Sequence, residues 1–256
     1  MNNDMMRLLV ARIKPARGFS HLLHIGLLLA LPVALLILVR LQGGFVQLAL
    51  SLVLLSKWRM LAVRPRFWPA IIRANAVDIV VGVSIVLFMA NSPTGYLQLL
   101  WALLYATWLV WLKPATGTLT VAAQAMIGQL CGLMALFLVW SDGPLYGLIL
   151  LAGLICYVSA RHFFDNFDEP YAKLLSHLWA YFGAALLWVT GHWLLFYGLI
   201  AQPTLILSMV GYGLAALYYF DHTDRLHAGV RRQLLFIMVA IIIVILAFSD
   251  WGGKVV

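Results

Sequence analysis

Nine apolar runs, each near the length that crosses a hydrocarbon layer, follow one another along this chain with short polar breaks between them. A helix rises 1.5 Å per residue, so about 20 apolar residues cross the roughly 30 Å of a bilayer's hydrocarbon. The runs fall at about 20–40, 44–62, 74–91, 95–112, 118–140, 144–160, 171–196, 203–220 and 233–250. They are continuous rather than alternating, which selects helices over barrel strands. The expected fold is an all-α integral membrane protein, a polytopic transmembrane helix bundle of eight to nine spans. Composition closes the soluble alternative. With 64% hydrophobic and 10% charged residues, a chain of 256 residues has too few polar groups to cover its apolar surface in water.

The breaks carry turn chemistry. Asn91-Ser92-Pro93-Thr94-Gly95 and Lys113-Pro114-Ala115-Thr116-Gly117 both read as turns. Asp142 is an N-cap candidate ahead of Gly143 and Pro144, and Gln202-Pro203 divides a stretch too long for one helix. The run from Leu22 to Val39 exceeds a signal-peptide core and lacks a small-x-small cleavage pattern, so it reads as a retained span. The chain thus divides into a basic N-terminal segment, 1–17, and one helical membrane domain, 18–256. Met5, Leu9 and Ile13 would give that segment an apolar stripe for the interface; as a plain topology signal it needs none. Cys131 and Cys156 lie in separate apolar runs and read as small buried residues, too far apart for a disulfide.

Charge gives direction. With the N-terminus in the cytoplasm and the C-terminus outside, every Lys and Arg except Arg40 and Lys254 falls on the cytoplasmic side. That asymmetry is the positive-inside pattern, and it places the chain as a multi-pass protein of the cytoplasmic membrane. The fifth run carries Gly128 and Gly132 flanked by Ala125 and Ala135, a small-residue face suited to close helix packing.

Chemistry-bearing residues gather on the basic side. Asp78, five residues past Arg73, is expected near the cytoplasmic end of its span, paired with Arg73 or bonded to Asn75. His24, His177 and His192 lie in or near spans and read as hydrogen-bonded or interfacial histidines. The segments Arg161-His162-Phe163-Phe164-Asp165-Asn166-Phe167-Asp168-Glu169 and Tyr218-Tyr219-Phe220-Asp221-His222-Thr223-Asp224 both lead aromatics into an Asp-x-x-Asp pair. Carboxylates at i and i+3 on one helix face offer oxygen ligands to a hard cation such as Mg²⁺, so Asp165, Asp168, Asp221 and Asp224 are candidate metal ligands. The same residues serve equally as caps and arginine partners. Lys57, Arg59, Arg64, Arg66 and Arg73 form the most basic segment, suited to phosphate groups or anionic lipid at the cytoplasmic face. All three segments are expected to converge on one site.

Two patterns carry incomplete family resemblances. Lys57 with Arg64-Pro65 resembles the Lys-x6-Arg-Pro element of the phosphatidic-acid phosphatase superfamily. That family's other elements have only Pro93-Thr94-Gly95-Tyr96, which lacks the histidine, and Ser159-Ala160-Arg161 as counterparts. The nine-helix order with Asp165, Asp168 and Glu169 after the sixth helix resembles the intramembrane prenyltransferases, which implies a diphosphate–Mg²⁺ site. Their second aspartate motif is reduced here to Asn75 and Asp78. Three functions follow as expectations: a binder or enzyme for a lipid-linked or phosphorylated substrate, a small-solute transporter with Gln47, Gln124 and Gln129 along its path, or a membrane scaffold. A homo-oligomer or complex partner fits any of them, and nucleic acid is not an expected partner.

Overall fold

The structure, a computed structural model, describes the chain except residues 1–18, 42–44, 59–61, 63, 194 and 252–256, and the side chains of residues 19–24. The expectations for segment 1–17, for Arg59 and Lys254, and for the His24 side chain lie outside the described residues.

Among the described residues nine α-helices follow in order. They are α1 (Phe19–Arg40), α2 (Val46–Leu55), α3 (Trp68–Ala90), α4 (Gly95–Thr107), α5 (Thr118–Trp140), α6 (Leu145–Asp165), α7 (Ala172–Thr190), α8 (Gln202–His222) and α9 (Ala228–Phe248). Seven helical segments, those holding α3 to α9, are long and apolar enough to cross a membrane. The chain is therefore an all-α bundle of membrane-spanning length, as the apolar runs require. At 10 residues α2 is only about 15 Å long, half of a bilayer's hydrocarbon.

Local chemistry sets several boundaries away from those expected. Pro65 opens a 3-10 turn over Pro65–Phe67, and α3 starts at Trp68, well before residue 74. Pro144, not Asp142, is the N-cap residue of α6, and no side chain bonds the freed amides there. The seventh run is not helical to 196. Its α-helix stops at Thr190, a 3-10 turn carries on over Gly191–Trp193, and a small hairpin follows, β1 (Phe196–Tyr197) paired with β2 (Ile200–Ala201), turning through Gly198 at φ 62°. That left-handed backbone is open to glycine without a Cβ penalty.

Contacts sort the residues to two ends of the bundle. Arg40 Nη2 donates to the Gly95 carbonyl at 2.6 Å and its Nε to Gln98 Oε1 at 3.2 Å, which fixes one end. Lys57, Asp78 and Lys113 meet toward the other, as do Arg73, Arg161 and Asp165. We call this the basic end. The hairpin and the Ser249–Asp250 segment close the opposite end, where the Asp250 amide donates to the Phe196 carbonyl at 2.8 Å.

Of the seven spanning helices, α3 and α5 are the most enclosed, with 44% and 50% of their spanning windows buried. Around α3, Leu35, Val53, Val86, Met89 and Tyr105 join α1 to α4 in one core; Leu133, Phe137, Cys156, Leu187 and Leu207 join α5 to α8 in a second. The small-residue face of α5 lies where the two meet. A Cβ added at Gly128 would stand 2.7 Å from Val77 Cγ1, and one at Gly132 the same distance from Val80 Cγ1. Glycine at both positions lets the α3 and α5 backbones approach to side-chain contact. Helix α9 is peripheral: Ile245 is its buried residue.

Candidate functional site

Between α5, α6, α7 and α8 lies a cavity of about 600 Å³, within the range of about 300–1,000 Å³ typical of small-molecule sites. Met126, Ile127 and Leu130 of α5, Phe163 and Phe164 of α6, Leu175 and Trp179 of α7, and Val210 and Ala215 of α8 make its wall chiefly apolar. Leu178, Phe182, Tyr212 and Leu214 line it as well and are exposed, so it reaches the outer surface of the bundle between α7 and α8.

Few polar groups face it. Gln129 is spent on structure: its Nε2 donates to the Leu207 carbonyl at 3.0 Å, and its Oε1 accepts from Trp179 Nε1 at 2.8 Å. Ser208 Oγ is buried without a hydrogen-bond partner; Thr204 Oγ1, one turn earlier on α8 and outside the cavity lining, is likewise unpartnered. An unmet hydroxyl in an apolar wall costs stability until something polar reaches it.

At the basic end the cavity closes on an aromatic cluster. Tyr218 packs edge-on to Phe163, Phe164 and Phe167 with centroids 5.6, 5.3 and 5.3 Å apart, and stacks on His222 at 5.9 Å. Its hydroxyl donates to Glu169 Oε2 at 2.6 Å. The two acidic segments therefore do come together, through their aromatics and Glu169 rather than through the aspartate pairs.

The aspartate pairs do not share helix faces. Asp165 ends α6 and Asp221 lies in the last turn of α8, while Asp168 and Asp224 sit beyond in left-handed backbone at φ 49° and 54°. In both segments the next amide reaches back five residues, Glu169 to the Phe164 carbonyl at 3.5 Å and Arg225 to the Phe220 carbonyl at 2.8 Å. This is a left-handed helix stop, and aspartate tolerates it better than most non-glycine residues. The repeated motif thus recurs because the helix ending recurs. Asp165 is occupied by guanidinium groups, Arg161 Nη2 at 2.9 Å and Arg73 Nε at 3.5 Å. Among the described residues no three His, Cys, Asp or Glu side chains are grouped to hold a metal ion.

The basic segment divides. Arg73 reaches Asp165, Arg66 lies over the Phe67 ring at 4.5 Å, and Arg64 is exposed. Lys57 turns inward instead and pairs with Asp78, both side chains 8% exposed. Lys113 Nζ adds a second pairing to the same oxygen at 2.6 Å, and Trp108 Nε1 donates to the other oxygen at 2.9 Å. Burial would pull the Lys113 ammonium down, but Asp78 beside it reverses that and holds it above the ordinary lysine value.

Asp78 therefore takes neither Arg73 nor Asn75 as its partner. Five residues along an α-helix turn through about 500°, which leaves Arg73 some 140° around α3 from Asp78. Asn75 bonds back to the Ile71 carbonyl at 2.9 Å. With α3 beginning at Trp68, Asp78 is no longer near a helix end but about 15 Å along it, and buried. Lys113 reaches it through a π turn over Trp108–Leu112, closed by the Lys113 amide on the Trp108 carbonyl at 2.8 Å. That wider turn brings residues five apart toward one face, so Trp108 and Lys113 address the same carboxylate.

Of the other groups, Gln124 donates to the Leu112 and Ala115 carbonyls at 2.6 and 3.0 Å and meets His162 Nε2 at 2.9 Å. It ties the π turn to α6, while Gln47 is exposed. His177 Nδ1 and His192 Nδ1 each meet the carbonyl four residues back at 2.7 Å. Cys131 and Cys156 are free. No protein-family model, curated protein or solved structure matches the chain.

Proposed function

We propose that the protein binds a membrane lipid by its apolar chain in the cavity between α5 and α8, with the headgroup toward the cytoplasmic face. The cavity carries this reading. It is apolar where a lipid chain would lie, it reaches the bundle surface where a bilayer would supply one, and Ser208 offers an unmet donor. Anionic headgroups are the favoured class, because Arg64, Arg66 and Lys173 are exposed at the basic end.

Native mass spectrometry of the protein released from mild detergent is expected to show a retained lipid. Ala215→Trp, which fills the cavity from α8, should lose most of that adduct, while Tyr96→Trp at an exposed position of α4 keeps it. Wild-type protein free of lipid, or full retention by a folded Ala215→Trp variant, would count against the reading.

The orientation belongs to the same proposal and rests on the charge asymmetry. Cysteines placed at exposed Thr94 and Asp142 should react with an impermeant thiol reagent added outside intact cells. One placed at exposed Asp168 should not, and its labelling would reverse the topology.

A further inference from the structure

We propose that Lys57, Lys113 and Asp78 form an oxyanion site in the α1–α4 half of the bundle, taking a phosphate-type group of a lipid headgroup or of a free ion. It shares no lining residue with the cavity.

The argument begins with charge. Two ammonium groups share one carboxylate oxygen, Lys57 buried and Lys113 about one-third exposed. With both protonated, one carboxylate balances one of them and leaves a positive charge over, which burial and Lys113 oppose by drawing the Lys57 ammonium below the ordinary lysine value. Removing an unbalanced charge from water is costly, and like charges this close oppose one another. An ammonium also has three N–H donors, and each lysine spends one on Asp78. The cluster therefore lacks a second anion, and one of several oxygens would meet the donors left over.

Three further features fit a built site rather than a stray pair. Helix α2 stops at Leu55, just before Lys57, instead of crossing the bundle. The π turn sets Trp108 on the second Asp78 oxygen, so the carboxylate is held from both sides. Tyr105 is fully buried, and its hydroxyl has no partner. It approaches α3 at Gly82, one turn from Asp78, where an added Cβ would stand 2.8 Å from it. Its unspent donor lies one helical turn along α3 from the cluster. Access lies past Lys113, the exposed member.

Thermal unfolding in detergent, with inorganic phosphate against chloride at matched ionic strength, tests this. Phosphate is expected to raise the melting temperature by about 3 °C or more through mass action. Lys113→Gln removes the surplus charge, so it should melt no lower than wild type without phosphate and should lose the rise. Lys113→Arg keeps the charge and should keep it. Nanodiscs of phosphatidylcholine with and without phosphatidic acid separate the sources. A rise from phosphatidic acid but not inorganic phosphate assigns the site to a headgroup, and a rise from both assigns it to the oxyanion. No rise from either, or an undiminished rise in Lys113→Gln, overturns the proposal.

Discussion

Asp78→Ala is expected to destabilise the protein by about 3–5 kcal/mol, the range for removing one partner of a buried ion pair. The carboxylate takes Lys57 and Lys113 on one oxygen and Trp108 on the other, so its loss strands three donors at once. Lys57 is affected most, because it is buried and has nowhere to turn. Lys113 can swing outward on its long stem. A second variant separates charge from packing: Asp78→Leu with Lys57→Met replaces the pair by apolar groups of similar size. It should recover much of the loss, since such replacements are often neutral or better. Melting curves in one detergent read both. An Asp78→Ala protein melting within a degree of wild type would mean that the cluster does not hold α2, α3 and α4 together.

Gly128→Leu and Gly132→Leu should each cost about 3 kcal/mol, the upper end for overpacking a filled interior. A single Cβ at either position already falls 2.7 Å from a valine methyl of α3, closer than carbon atoms approach. The whole leucine would have to push α3 and α5 apart, and these are the two most buried of the seven spanning helices. Both variants are expected to melt about 6 °C or more below wild type. Gly26→Leu is a suitable control, because an added Cβ there meets nothing within 4 Å. Equal melting of Gly26→Leu and Gly128→Leu would show that α3 and α5 are not in contact through this face.

The sites differ in how far they could be read from sequence. Gly128 and Gly132 declare themselves by their four-residue spacing among small neighbours, a local pattern with a local meaning. Asp78 is the only acid between Asp4 and Asp142, and that isolation signals a special position. Its partners carry no such signal. Lys57 and Lys113 lie 21 and 35 residues away on either side, and each reads as an ordinary topology charge. The Asp-x-x-Asp motifs err in the opposite direction. Their i, i+3 spacing implies a shared face only while the helix continues, and the helix ends between the two aspartates.

By itself the sequence determined the helical bundle, the approximate position of its long apolar helices, the gathering of positive charge and the close-packing face of α5. These follow from composition and periodicity, because in lipid every backbone amide must be satisfied within its own segment and the residues of one run decide that alone. Only the tertiary structure decided that α2 is short, that residues 108–112 widen into a π turn, that Asp78 takes two lysines, and that α5 to α8 leave a cavity open to the surface. Each of these depends on which side chains meet across helices at the same height. That meeting is fixed by packing between elements distant in sequence, where hydropathy and spacing carry no information.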